Sequence, residues 1–208
     1  MTRKYWILSI VGLLFAGPTL AQGKAEKGQE YFLLCQTCHG ENGAGNESLG
    51  APRIAGQHGW YLQRQLQNFK AGVRGAHADD SYGQQMAPMA QTLPDDQAVL
   101  DVVAHIGTLE APAAAATDQG SNAEKGQQYF VVCQACHGEN GAGNESLGAP
   151  RIAGQHGWYL QRQLQNFKAG VRGAHADDLY GQTMAPMAQT LPDDQAVLDV
   201  VAYVQSLK

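Results

Sequence analysis

The sequence is short of several kinds of residue, and each shortage excludes a class of protein. Only 4 of the 208 residues are cysteine, and all four lie in two short motifs, so none is left for a separate disulfide or a zinc site. The chain has 14 Lys and Arg against 19 Asp and Glu, which gives a formal charge of -5. A net acidic protein is poorly suited to nucleic acid or anionic lipid and better suited to a basic docking patch on another protein.

Long hydrophobic runs are also scarce. The apolar stretch at residues 5–16 is shorter than the ~20 residues that a membrane-spanning helix needs. It follows Arg3 and Lys4 and precedes Gly17-Pro18 and the small residues that end at Ala21. This order predicts a signal peptide over residues 1–21, cleaved after about Ala21, with an uncleaved N-terminal anchor as the alternative. Loss of the two basic residues changes the formal charge from -5 to -7.

Both cysteine motifs have the form Cys-x-x-Cys-His. They consist of Cys35, Cys38 and His39, and of Cys133, Cys136 and His137. This is the attachment sequence of a c-type haem, because two thiols three positions apart reach both vinyl groups of one porphyrin and the next residue places an imidazole under the iron. One copy alone could be a redox dithiol, half of a zinc knuckle or a short disulfide. Two copies, each followed by His, favour two covalently bound haem c groups, which in bacteria are attached outside the cytoplasm.

The chain contains one unit twice. Residues 25–110 align with residues 123–208, and residues 38–80 recur without a change as residues 136–178. Each copy has its own complete cysteine motif, so the repeat indicates a tandem of two similar domains and not a solenoid.

The domain limits follow from the repeat and from composition. We predict one domain at residues 22–110 and a second at residues 122–208. Residues 111–121 between them are dominated by Ala, Pro, Gly and Ser and have no apolar face, so we interpret them as a linker. The linker is short enough to hold the two domains side by side.

Within each unit the hydrophobic pattern is helical, and no alternating strand pattern is present. Residues 25–34 predict a short helix that delivers the first cysteine. The spacing of Leu62, Leu66 and Phe69 predicts a second helix that Gly72 ends, and a last helix opens at Pro94-Asp95-Asp96. The predicted fold class is therefore all-α. A unit of this length builds a modest core, which a bound porphyrin would complete.

Methionine is confined to one segment of each unit. Apart from Met1, it occurs only in Met-Ala-Pro-Met at residues 86–89 and 184–187. This confinement suggests that one methionine of each pair binds iron opposite the imidazole, while the other packs on the haem edge. A sixth protein ligand is typical of an electron carrier, whereas an open iron is typical of a gas sensor or an enzyme. Histidine and methionine together raise the reduction potential.

The order of these motifs resembles class I cytochrome c, and their duplication resembles the dihaem cytochrome c4 family. Each unit runs from Cys-x-x-Cys-His-Gly through Gly-x-Pro-Arg-Ile-x-Gly-Gln-x-x-x-Tyr-Leu to Met-x-x-Met and an acidic-start final helix. The resemblance implies two tandem class I cytochrome c domains, each wrapped around one covalent haem. It also implies that Met86 and Met184 are the iron ligands, because each stands seven positions before the Leu that opens the last helix.

The resemblance assigns further roles around each haem. Pro52 and Pro150 match the proline whose carbonyl holds the ligating imidazole. Arg53 and Arg151 follow directly, and they either pair with a haem propionate or lie exposed. Gln57, Tyr61 and Gln65 match a Gln/Tyr pattern of the family, although helix packing explains them equally well. Four histidines are expected to be solvated loop side chains: His58, His77, His156 and His175.

These features predict a periplasmic dihaem electron carrier that passes single electrons from a quinol-oxidising complex to a haem–copper oxidase. The chain shows no nucleophile, acid–base pair or substrate pocket beyond the haem, so we expect no catalytic residues and no enzyme activity. The alternatives are the haem subunit of an enzyme complex, such as a flavocytochrome sulfide dehydrogenase, and a dihaem peroxidase with one displaceable ligand. We expect a monomer that does not bind nucleic acid, with peripheral membrane association left open. The domains should pack in two-fold fashion with their haem edges facing each other.

Overall fold

The protein folds into two copies of one four-helix domain. The computed structural model describes residues 22–110, 112–114 and 120–207, and within those residues it contains helices and no strand. Helices α1 to α4 of the first domain are Ala25–His39, Gly59–Lys70, Ser81–Gln91 and Asp96–Ile106. Helices α5 to α8 of the second are Ala123–His137, Gly157–Lys168, Leu179–Gln189 and Asp194–Ser206. The all-α prediction is confirmed, whereas the predicted signal peptide and residues 111 and 115–119 of the predicted linker lie outside the described residues.

The first helix is longer than predicted. It was expected to end before Cys35, but α1 continues through the whole cysteine motif to His39. No glycine or proline occurs between Cys35 and His39, and the helix ends at Gly40, which has φ 79 and donates its N–H to Gln36 O at 2.9 Å. Cys35, Cys38 and His39 therefore lie at positions i, i+3 and i+4 of one helix, so both thiols and the imidazole share a face.

The second and fourth helices agree with the predicted pattern. Helix α2 ends at Lys70, just before Gly72, which has φ 70. Helix α4 begins after Asp95, whose carboxylate accepts the N–H of Ala98 at 2.8 Å and so caps the helix.

Helix α3 was not predicted, and it is the helix that contains both methionines of the first domain. Asp80 caps its start by accepting the N–H of Gly83 at 3.0 Å. Pro88 lies inside the helix, where proline is normally avoided, and this hid the helical pattern in the sequence. Met86 and Met89 are three residues apart and lie on the same side of α3.

The core of each domain is formed where its first helix crosses its last. At the crossing, a side chain on Gly28 would clash with the backbone carbonyl of Asp101, so glycine allows α1 and α4 to approach closely. Asp101 is buried here, and its carboxylate accepts the N–H of Lys24 at 2.7 Å and the amide of Gln97 at 2.8 Å. The bond from Lys24 holds the pKa of Asp101 below its usual range. In the first domain, the buried apolar residues of the core are Phe32, Leu62, Leu93, Ala98, Val99, Val102, Val103 and Ile106.

Candidate functional site: two haem pockets and the contact between them

Each predicted ligand histidine is buried and held in one orientation. His39 Nδ1 lies 2.8 Å from the carbonyl oxygen of Pro52, and His137 Nδ1 lies 2.8 Å from that of Pro150. Since a carbonyl can only accept, Nδ1–H donates and Nε2 presents its lone pair to the pocket. Burial lowers the pKa of both imidazoles, and the bond to proline offsets only part of that, so the rings are neutral. The contact predicted for Pro52 and Pro150 is confirmed.

The cysteines have the character of attachment points and not of a redox dithiol. Cys35 and Cys38 are half-buried, not bonded to each other, and line the same pocket as His39. Burial raises the pKa of Cys35, and of its counterpart Cys133, to about 11. A redox-active dithiol needs the opposite shift, because the thiolate is the reactive form.

Both methionines of each pair line the pocket that the cysteine helix also lines. Met86 and Met89 line the first pocket, and Met184 and Met187 line the second. The structure thus brings together all the residues predicted as haem attachment points and iron ligands in each domain.

The two pockets join into one continuous cavity with a lining suited to haem. Its apolar wall is formed in the first domain by Leu62, Leu66, Phe69, Val102 and Ile106. Arginine side chains also line it, and among them are four whose Nε atoms are buried with no hydrogen-bond partner in the described part of the chain: Arg64, Arg74, Arg162 and Arg172. A buried donor without a partner is costly. The carboxylates of haem propionates would satisfy these donors, so the residues present fit the group.

The domains meet in an approximately two-fold contact in which most of the hydrogen bonds occur twice, with the roles of the two domains exchanged. Gln57 binds the backbone of Arg151 by accepting its N–H at 3.2 Å and donating to its carbonyl at 2.8 Å. Gln155 binds the backbone of Arg53 in the same way, at 3.1 and 2.8 Å. The predicted two-fold packing is therefore present, and the shared cavity supports the prediction that the haem edges face each other.

Buried tyrosines and arginines extend this contact. Arg172 donates to Tyr61 Oη at 3.1 Å, and Arg74 donates to Tyr159 Oη at 3.2 Å. Burial alone would lower the pKa of Arg172, but the two tyrosines raise it above its ordinary value. Gln65 also accepts a hydrogen bond from Arg172, at 3.3 Å. Contact between the domains therefore explains the pattern of Gln57, Tyr61 and Gln65, for which the sequence left helix packing as an alternative.

Two of the four remaining histidines belong to this contact, contrary to expectation. His58 Nε2 lies 2.6 Å from the carbonyl of Ala142, and His156 Nε2 lies 2.7 Å from that of Ala44. The prediction that these two are solvated was wrong, because their partners are backbone atoms of the other domain. His77 and His175 are exposed in loops, as predicted.

Arg53 also faces the other domain, since its guanidinium donates to the carbonyl of Gly154 at 2.9 Å. It is therefore not a simply exposed arginine. Its predicted contact with a propionate stays a prediction.

Comparisons with known proteins agree with this geometry. The family model described as Cytochrome c matches residues 25–110 and 123–208. Cytochrome c4 from Azotobacter vinelandii is 28% identical over 99% of both chains. The "Thiosulfate dehydrogenase electron acceptor" of Stutzerimonas stutzeri is 32% identical over 98% of this chain and 97% of that one. The crystal structure of reduced recombinant cytochrome c4 from Pseudomonas stutzeri superposes with a TM-score of 0.70 and 30% identity, covering 89% of this chain and all of that one.

Within the residues that the structure describes, no helix is both long and apolar enough to cross a membrane. With two matched domains, each bearing a cysteine pair on a helix that ends in a held imidazole, the chain binds two covalent haem c groups. It belongs to the cytochrome c family and, within it, to the dihaem electron carriers of the cytochrome c4 family.

Proposed function

We propose that the protein is a periplasmic carrier that passes single electrons from a quinol-oxidising complex to a haem–copper oxidase. The observation that supports this most directly is the shared cavity, into which both cysteine helices present their imidazoles. When bound, each haem supplies a one-electron iron couple. The chain's own residues fix the imidazoles through Pro52 and Pro150 and surround the group with apolar side chains, which limits access of water and small molecules.

We further propose that the irons are bound by His39 with Met86 and by His137 with Met184. The match of Met86 and Met184 to the position of the ligating methionine in the cytochrome c4 family supports this choice within each pair, and both methionines of each pair line the cavity from α3 and α7. A thioether ligand on each iron would leave peroxide without an open site, so we expect the protein to have no peroxidase activity.

Absorbance spectroscopy of the oxidised protein tests the ligand assignment. Met86→Ala should remove the sulfur-to-iron band of one haem and leave the other, whereas the matched variant Met89→Ala should keep both. Met184→Ala and Met187→Ala repeat the comparison in the second domain. If the Met89 variant loses the band and the Met86 variant keeps it, the assignment within the pair is wrong.

A second candidate is an electron acceptor that serves one particular dehydrogenase, as the name of the relative from Stutzerimonas stutzeri says of that protein. The haem subunit of a flavocytochrome sulfide dehydrogenase belongs to the same class. In both of these candidates the catalysis takes place in another chain. They differ from the first proposal in the electron donor, which is a dehydrogenase and not a quinol-oxidising complex.

The rate at which bacterial membranes oxidise the reduced protein distinguishes the candidates. For a carrier to an oxidase we expect rapid oxidation that slows as ionic strength rises, because salt screens the attraction between the acidic carrier and a basic docking patch. Negligible oxidation by membranes, with rapid reduction by a thiosulfate- or sulfide-oxidising extract, would support the acceptor. Rapid peroxide turnover by the isolated protein would contradict both.

Sequencing the N-terminus of the mature protein from the periplasmic fraction tests export and cleavage after Ala21.

A further inference from the structure

One arginine of each domain binds the methionine-bearing helix of the other. Arg64, on α2 of the first domain, donates from Nη2 to the carbonyl of Gly148 at 2.6 Å, and its Cζ lies 4.0 Å from the centre of the Tyr180 ring. The reverse contact is made by Arg162, which donates to Gly50 O at 2.6 Å and lies 4.0 Å over Tyr82. A cation this close to an aromatic face is attracted by the ring.

The tyrosine ring also contacts glycine backbone of its own domain. A side chain on Gly148 would clash with the Tyr180 ring, and the φ of 64 at this residue also favours glycine. Tyr180 therefore contacts both the backbone of its own domain and the guanidinium of the other, while 46% of its surface stays exposed. The planar guanidinium makes both the stacked contact and the hydrogen bond, which a lysine could not do together.

This contact acts on the turn of α7 that precedes the methionine. Tyr180 and Met184 are four residues apart and share a face of the helix. Asp178 caps the same helix by accepting the N–H of Gly181 at 3.0 Å, and its carboxylate also attracts the Arg64 guanidinium. Arg64 thus holds both the start of α7 and the residue one turn before the proposed ligand.

We propose that Arg64 positions Met184 for the iron of the second domain, and that Arg162 positions Met86 for the iron of the first. Each domain then controls how firmly methionine stays bound in its neighbour. The inference rests on the methionine assignment proposed above, and its test separates the two.

The test measures how much added imidazole is needed to displace methionine from one chosen iron. In a Met86→His background only the second domain keeps a sulfur-to-iron band, so the band reports Met184 alone. There, Arg64→Gln should lower the half-displacing concentration of imidazole by about fivefold, which corresponds to about 1 kcal/mol. Arg162→Gln, which removes a cavity-lining arginine of the second domain itself, should lower it by less than Arg64→Gln does. In a Met184→His background the two variants should exchange their effects.

The crossed design separates positioning from general loosening of the contact. Both arginines lie in the same contact, so loosening would change the two backgrounds equally, and that result would overturn the proposal. An effect of Arg64→Gln on Met86 only, or no effect on either methionine, would overturn it as well.

Tyr180 provides an independent check within the second domain. Tyr180→Leu should reproduce the effect of Arg64→Gln, whereas Tyr180→Phe keeps the ring and should behave like the parent. If Tyr180→Leu has no effect, the stacked contact does not position the methionine.

A wrong methionine assignment gives a different result. If Met86→His alone fails to remove one band, the ligand proposal has failed, and the same crossed comparison is then made with Met89→His and Met187→His. The arginine proposal is thus supported or overturned whichever methionine binds iron.

Discussion

Replacing Gln57 by methionine should destabilise the contact between the domains while keeping the length of the side chain. The Gln57 amide accepts the N–H of Arg151 and donates to its carbonyl, at 3.2 and 2.8 Å. Methionine can do neither, so both polar groups of the Arg151 peptide lose these partners inside the contact. Gln155→Met removes the equivalent pair of bonds at Arg53.

The expected cost follows from the two bonds. Each contributes about 1 kcal/mol net, and leaving a buried donor or acceptor without its partner adds to that, so we expect a loss of about 2–4 kcal/mol in the free energy of unfolding. The second substitution should cost less than the first, because the contact that it would weaken is already partly open. Residues in one network are expected to depart from additivity in this way.

Urea unfolding, followed by circular dichroism and by haem absorbance, measures these costs for both single variants and the double variant. Gln91→Met is the matched control, since Gln91 is exposed at the end of α3 and should change stability by less than about 0.5 kcal/mol. A Gln57→Met cost no larger than that of the control would refute the reasoning, as would full additivity in the double variant.

Three further predictions concern the core and the irons. The pKa of Asp101 in the folded protein lies below its unfolded value, so its carboxylate stabilises the fold above about pH 4, and this contribution is lost as the pH falls through the folded pKa. Asp101→Asn should therefore lower the free energy of unfolding at pH 7 and make it decline less steeply in acid. An unchanged free energy of unfolding at pH 7 would contradict this. Gly28→Ala should cost about 1–3 kcal/mol by forcing α1 from α4, and Gly126→Ala should cost the same in the second domain, as thermal melts of both variants will show. The two reduction potentials should lie close together because the proposed ligands are the same, and two widely separated waves in a redox titration would argue against this.

The elements that could be predicted are those whose signal lies within one short segment. The cysteine motif, the apolar face of α2 and the acidic start of α4 each contain their whole pattern in a few neighbouring residues. Helix α3 was missed because Pro88 interrupts it, and the end of α1 was misplaced because the motif was treated as a boundary although nothing in it breaks a helix.

The contact between the domains had no comparable signal. Gln57 and His58 bind backbone atoms of residues 94 and 84 positions away, and a backbone carbonyl has no side chain to mark it in the sequence. Polar residues on a helix also occur at any solvated surface. The repeat predicts that the two domains contact each other, but the sequence does not show which residues make that contact.

Because most hydrogen bonds between the domains occur twice with the roles exchanged, the contact is close to isologous, the kind of self-complementary surface that builds two-fold homodimers. A single domain of this sequence therefore possesses both halves of most of the recognition surface, and the first domain of one molecule can present to the first domain of another most of the residues that it presents to its own second domain. The linker between the domains decides the outcome, since a short linker gives the attached partner an effective concentration on the order of millimolar. Separating the domains at the linker would turn an intramolecular contact into a concentration-dependent equilibrium among three kinds of pair.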